Sequence, residues 1–264
     1  MGYIKIIIYG NNIEIYEYEK TVVIVHRDKQ RREDPSDDKN MGINGQNLLQ
    51  ERKLGKRQDN ARRASLDFRR LVGANLGSDS RQFTRPILAT LTYRDNFTDL
   101  KGAYRHLSSF IQSLRHKYGK IFKYTCVPEF QERGAVHFHA LFWGLPEEIF
   151  LREREDRTIA GYWRHGFIFL KQTDGNEKLS FYLSKYMAKA FLDARLKNQK
   201  CYVASRNILR PVTYKGASAS VVLEDYGINI DTGVPVEDRS FDTTWLGKGR
   251  FRLFKIPDKE NSST

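Results

Sequence analysis

The alternation of apolar and polar positions divides the chain into short strands, amphipathic helices and charged connectors. Residues 3–9 and 13–26 are rich in Ile, Val and Tyr and flank Gly10-Asn11-Asn12, the composition of a β-hairpin with a tight connection. Residues 27–46 turn polar and charged (Arg31-Arg32-Glu33-Asp34-Pro35, Asp37-Asp38) and are expected to form a mobile linker. The stretch from 47 to about 75 is compatible with a helix, weakened in its first part by Gly55. Ile87-Leu88-Ala89-Thr90-Leu91-Thr92-Tyr93 is a strand by composition. Over 99–118, Leu100, Ala103, Leu107, Phe110, Ile111 and Leu114 recur at helical spacings, and Gly119 follows as a C-terminal stop.

Residues 121–131 and 135–143 read as two strands joined by a short turn containing Gly134. A further strand at 166–170 and a second amphipathic helix at 179–192 follow. The order strand, helix, strand, strand, strand, helix predicts an α+β fold, an antiparallel sheet with helices packed on it. Beyond residue 195 the pattern weakens to two apolar strand candidates, near 220–224 and 251–256. The chain is therefore expected to divide into an accessory region (1–80), a central core (81–200) and a basic C-terminal extension with short strands (201–264).

Composition narrows the partners. Of 264 residues 40% are hydrophobic, enough to bury a proper core. Lysine and arginine number 45 against 32 acidic residues, a net charge of +13. Such a surplus favours a polyanion, because each cation set near a phosphate also releases a condensed counterion. The basic residues cluster: Glu51 to Arg70 holds eight against three acids, and residues 185–215 hold eight with Asp193 as the sole acid. A solvated helical face would account for the first cluster equally well. No apolar run approaches the roughly 20 residues of a membrane helix, and the first residues lack a secretory layout. Cys126 and Cys201 could pair but make no framework. A cytoplasmic, reducing setting without a membrane partner is expected.

Two constellations carry chemistry. The first is Glu129-Phe130-Gln131-Glu132-Arg133-Gly134-Ala135-Val136-His137-Phe138-His139. Residues two apart on a strand face the same side, so His137 and His139 point together while Phe138 packs the opposite face. A hairpin turning near Gly134 brings Glu129 or Gln131 to the same point. Two imidazoles and one oxygen donor make a three-ligand metal site with open positions. Taken alone, the set also suits a zinc hydrolase or a non-haem iron oxygenase. The second is Tyr182-Leu183-Ser184-Lys185-Tyr186-Met187-Ala188-Lys189. Residues four apart share a helix face, which pairs Tyr182 with Tyr186 and Lys185 with Lys189. A phenol is a weak nucleophile at neutral pH. It suits a reaction whose phosphodiester product keeps its energy for rejoining, assisted by a metal on the phosphate and a cation near the phenolate.

Together these blocks resemble the HUH superfamily of single-strand endonucleases. Leu88-Ala89-Thr90-Leu91-Thr92 resembles its first strand motif, His137-Phe138-His139 its metal motif, and Tyr182-Leu183-Ser184-Lys185 and Tyr186-Met187-Ala188-Lys189 two overlapping copies of its Tyr-X-X-Lys motif. The paired tyrosines are most similar to those of the two-tyrosine rolling-circle initiators of microviruses and related single-stranded DNA phages. The matching region runs from about 84 to 195. The resemblance implies an RRM- or ferredoxin-like core and nicking of single-stranded origin DNA, usually in a hairpin, with tyrosine joined to the 5′ phosphate.

It further implies Tyr182 and Tyr186 as nucleophiles, Lys185 and Lys189 as supporting cations, and His137, His139 and Glu129 as ligands of Mg²⁺ or Mn²⁺. Gln131 stands as the alternative to Glu129. Arg133, Arg195, Lys197, Arg206 and Arg210 are the candidate DNA-binding cations. The chain has no Gly-X-X-X-X-Gly-Lys-[Ser/Thr] loop, so the helicase, like the polymerase, is expected from the host. The oligomeric state is left open. A transposase or relaxase shares the chemistry. A non-catalytic module would instead present aromatics such as Phe138 and Tyr124 for bases to stack on.

Overall fold

The computed structural model describes residues 2–20, 43–76, 85–146, 158–243 and 246–256. The fold is α+β, with two antiparallel sheets of five strands each and helices packed on them. Contacts divide the chain into two compact units, residues 57–210 and residues 1–56 with 211–264. The two ends of the chain fall in one unit because their strands pair in one sheet.

In that end-to-end unit, β1 (Tyr3–Tyr9) and β2 (Asn12–Tyr18) form the hairpin expected at Gly10-Asn11-Asn12. Gly10 supplies the positive φ of 52° that the turn requires. With β8 (Val212–Lys215), β9 (Glu237–Thr243) and β10 (Gly247–Lys255), the strand order is β8-β1-β2-β10-β9. The candidate strand at 251–256 falls in β10. The one near 220–224 is a helix, α5 (Ala217–Asp225). There Ala219 and Leu223, one turn apart, bury against Ile6, Ile13, Ile15 and Phe254, while Val221 is exposed. The buried positions follow the helical period, which the run Val221-Val222-Leu223 concealed. On the sheet's other face the buried carboxylate of Glu14 accepts hydrogen bonds from Tyr9 (2.8 Å) and Tyr16 (2.9 Å), as a buried polar group must.

The central unit is built on a sheet of order β6-β3-β5-β4-β7. Its strands are β3 (Ile87–Tyr93), β4 (Lys123–Phe130), β5 (Val136–Trp143), β6 (Gly166–Gln172) and β7 (Val203–Ala204). One face carries α2 (Leu100–Tyr118), capped by Asp99, whose carboxylate accepts from the Lys101 amide at 3.0 Å. All six apolar residues expected on its inner face are buried, against Leu91, Phe138, Ala140, Phe142 and Trp163. The other face carries α4 (Lys178–Phe191) and the later part of α1 (Ile43–Gly73). There Leu183, Met187, Phe191, Phe68 and Leu71 meet Val127, Leu141 and Trp143. A short helix, α3 (Thr158–Tyr162), was not anticipated. Helix α1 runs unbroken through Gly55, and it begins inside the expected linker, of which residues 27–42 lie outside the described residues. Cys126 and Cys201 are both free thiols.

Asn75 ties this second layer together. Its side-chain amide donates to the carbonyls of Leu71 (2.8 Å) and Leu209 (2.9 Å) and accepts from the Leu209 amide (3.1 Å). Its own carbonyl accepts from the Trp143 indole at 3.1 Å. Removing a buried polar partner leaves the other group unsatisfied, at about 1–3 kcal/mol. Asn75→Ala is therefore expected to lower unfolding free energy by that amount in urea titrations; an unchanged midpoint would contradict the clasp.

Candidate active site

The site begins with the register of β5. His137 stands opposite Thr92 on β3 and Glu129 on β4; His139 stands opposite Thr90 and Val127. Side chains directly opposite share a face. The two histidines, the glutamate and both threonines of the Leu88–Thr92 motif therefore lie on the α4 side of the sheet. Phe138, between the histidines, is fully buried on the α2 side, its ring against Tyr104 and Trp163. It is thus closed to bases, and Tyr124 is half-buried beneath the Arg115 guanidinium. The β4–β5 turn closes through Gln131 N to Ala135 O (2.9 Å) and Gly134 N to Gln131 O (2.8 Å), with Gly134 at φ 89°.

His139 Nε2 lies 2.7 Å from Glu129 Oε2. An ionised carboxylate can only accept, so His139 donates in this pair. His137 Nδ1 is 3.3 Å from Thr92 Oγ1, and the two imidazole rings are 4.8 Å apart between centroids. The hydrogen bond from His139 holds the Glu129 carboxyl below its usual range despite partial burial, helped by the charges of His139, His137 and Lys189. Burial, then the neighbouring His139 and Arg133, pushes His137 down to about 4, with Glu129 pulling the other way. At neutral pH the site thus offers a neutral imidazole and an ionised carboxylate, the protonation states a metal ligand needs.

Gln131 is engaged elsewhere, accepting from Arg133 Nε at 3.1 Å. Of the two candidate oxygen donors, Glu129 is the one in hydrogen-bond contact with His139. Among the described residues no group of three or more His, Cys, Asp or Glu side chains converges on one centre. Glu129 and His139 are instead turned to each other. As a donor set, two imidazoles and a carboxylate on one face nevertheless fit a divalent cation.

Above this face, Leu183 and Met187 anchor α4 in the core, and the Ser184 carbonyl accepts from Ser65 Oγ at 3.0 Å. Tyr182 is 63% exposed, and Lys185 and Lys189 are exposed beside it. Leu183 and Met187 pack in one cluster with Val127, which stands opposite His139, so α4 lies on the histidine face, and the Lys189 charge adds a small part to holding the Glu129 carboxyl down. Tyr186 belongs to the same helix; its side chain lies outside the described residues. Among the candidate DNA-binding cations, Arg133 donates to the carbonyls of Tyr93 (2.7 Å) and Arg94 (3.4 Å), tying the hairpin turn to β3. Arg195 forms a bidentate pair with Asp193 and lies 4.1 Å from the Phe130 ring centroid. Lys197, Arg206 and Arg210 are exposed.

Two residues escaped the sequence reading. Phe167 and Phe169 on β6 pair with Thr92 and Thr90, which sets them on the histidine face. They are 65% and 66% exposed. The alternation Phe167-Ile168-Phe169-Leu170 puts both aromatics on one face, but which face of the sheet that is depends on the pairing with β3.

Residues 86–191 match the family model of the replication-associated protein ORF2/G2P. The matched segment starts just before β3 and ends with the last residue of α4, so it takes in both the histidine row and the tyrosine helix. It covers less than half of the chain and is consistent with a rolling-circle replication initiator. No curated protein and no solved structure matches the chain. Among the described residues, no helix is long and apolar enough to cross a membrane.

The depressed His137 has a measurable consequence in metal-free protein. Unfolded, the imidazole takes a proton near its ordinary value of 6.5; folded, only near 4. Below pH 6.5 the unfolded state binds more protons, so stability is full above that value and falls as pH drops toward 4. With chelator present, urea unfolding at pH 7 and pH 5 should differ by an extra amount of order 1–2 kcal/mol that His137→Asn abolishes. Equal pH dependence in both proteins would refute the half-buried, neutral imidazole.

Proposed function

We propose that this chain is a site-specific single-stranded DNA endonuclease and ligase that initiates rolling-circle replication through a 5′-phosphotyrosine intermediate. The observation that carries the reading is the Glu129–His139 contact of 2.7 Å on a sheet face whose neighbouring helix holds Tyr182, Tyr186 and Lys189. The family match over the same stretch supports it at the coarser level of a replication-associated protein. Kinship with the two-tyrosine initiators of single-stranded DNA phages is the finer part of the proposal.

His137, His139 and Glu129 would hold Mg²⁺ or Mn²⁺, which when bound draws charge from the scissile phosphate. The chain's own residues do the rest. A phenol oxygen of α4 bonds to phosphorus as the bond from phosphorus to the 3′ oxygen breaks, and the phenol proton ends on the freed 3′ hydroxyl. Lys185 and Lys189 stabilise negative charge on the phenol and phosphate oxygens. Reversal by another 3′ hydroxyl rejoins a strand, with neither oxidant nor water consumed. The freed end primes synthesis by a host polymerase behind a host helicase, and exposed Lys197, Arg206 and Arg210 guide the strand. A zinc hydrolase or iron oxygenase would leave the tyrosine helix and the family match without a role.

Helical rise is about 1.5 Å per residue, so Tyr186 sits about 4.5 Å and Tyr182 about 10.5 Å along the axis from Lys189. The test uses labelled single-stranded DNA hairpins of randomised loop sequence, Mn²⁺ and a denaturing gel. A metal-dependent protein–DNA adduct is expected, reduced more by Tyr186→Phe than by Tyr182→Phe and absent from the double variant. Glu129→Ala should reduce it by more than the roughly 10–100-fold typical of residues that only support a ligand, and Gln131→Ala only slightly. An adduct that survives in the double variant, or forms equally under chelation, would overturn the proposal.

A further inference from the structure

The antiparallel pairing extends the histidine row across the sheet. Reading across the strands, one row is Phe167, Thr92, His137, Glu129, and the next is Phe169, Thr90, His139, Val127. A third brings Lys171 opposite Leu88 on the same face. Strand spacing sets the phenylalanines about 10 Å from the histidines and about 7 Å from each other along β6. Their neighbours on the strand, Ile168 and Leu170, pack into the α2 core, so β6 is anchored while its two aromatic side chains face outward. Gly166 allows the close approach that fixes this register: a Cβ there would lie 2.2 Å from the Thr92 carbonyl oxygen. At the other end Thr173 Oγ1 donates to the Pro86 carbonyl at 2.5 Å.

Two rigid rings, both about two-thirds exposed on an edge strand, are an unusual surface for a protein to keep. They are too small for a stable protein interface, which buries about 800 Å² per partner, whereas two phenylalanines offer at most about 500 Å². Their surroundings select the ligand: Lys171, two residues on along the same strand face, is an exposed cation, and the candidate phosphate chemistry is two strands away. Unpaired bases have a flat π-face for each ring and a polyanionic backbone for the cations.

We infer that Phe167 and Phe169 form a base-stacking platform that grips unpaired bases of single-stranded DNA next to the scissile phosphate. The choice of DNA rests on the nicking reading above. The platform holds the strand across the sheet so that the backbone beyond the gripped bases reaches the histidine row. Stacking is indifferent to base identity, so it positions the strand without selecting the origin.

The test measures binding alone. Fluorescence anisotropy of the full chain, with chelator present, compares an oligothymidine of about 12 nucleotides with an abasic strand of equal length. Stacking a base on an aromatic ring is worth roughly 5–150-fold in affinity. The Phe167→Ala/Phe169→Ala variant should bind oligothymidine at least about 20-fold more weakly and the abasic strand within about twofold of the unaltered protein. Phe167→Trp/Phe169→Trp should retain oligothymidine binding. Unchanged oligothymidine binding, or equal losses on both strands, would overturn the platform. An adduct that forms with no ring-dependent binding removes the platform alone. Ring-dependent binding without an adduct removes the nicking reading and leaves the platform.

Discussion

The antiparallel register of β5 between β3 and β4 is the constraint on which the rest of the central unit depends. Period-two alternation sends Val136, Phe138, Ala140 and Phe142 into the core beneath α2 and turns His137, His139, Leu141 and Trp143 to the opposite face. Strong apolar side chains on both faces make this register costly to shift, since a slip of one residue would exchange all of them at once. The two histidines are therefore positioned by the burial of the residues around them. Leu141 and Trp143 meet α4 and α1 at one end of the strand, and at the other end the cover stops short, leaving the imidazoles partly open.

The electrostatics of the open end follow from that geometry. Partial burial favours neutral His137, while the bond from His139 favours ionised Glu129, so neighbouring groups are driven to opposite preferences by different causes. Lys189 adds its field from the adjacent helix. A net charge of +13 over the chain complements a phosphate backbone, but the individual arginines divide their roles. Arg133 and Arg195 are held by partners of the same fold, and Lys197, Arg206 and Arg210 extend into solvent.

Much of the central unit was readable in the sequence because its elements carry clean periods. The inner face of α2, the strand at 87–93 and the His137–Phe138–His139 alternation are local signals, and local signals survive without knowledge of the fold. What was not readable depended on distant pairing. The hairpin of β1 and β2 is completed by β10, more than two hundred residues away, and no local pattern announces that. The run Val221-Val222-Leu223 resembles a strand until Ala219 and Leu223 are seen to meet the same surface. Phe138, offered for base stacking only under the non-catalytic alternative, is buried, whereas Phe167 and Phe169, read only as part of a strand, are exposed. Similarly, the choice between Glu129 and Gln131 as neighbour of the histidines turned on the hairpin's details, which turn Gln131 toward Arg133.

The claim at the centre of this account is that a phenol of α4 becomes bonded to the 5′ phosphate of DNA. The most direct measurement is mass spectrometry of the trapped protein–DNA product after nuclease and protease digestion. A nucleotide mass attached to the peptide containing Tyr182 and Tyr186, with fragmentation placing it on a tyrosine, is the expected result. Attachment to any other residue, or cleaved DNA with no modified peptide under conditions that preserve phosphotyrosine, would contradict it.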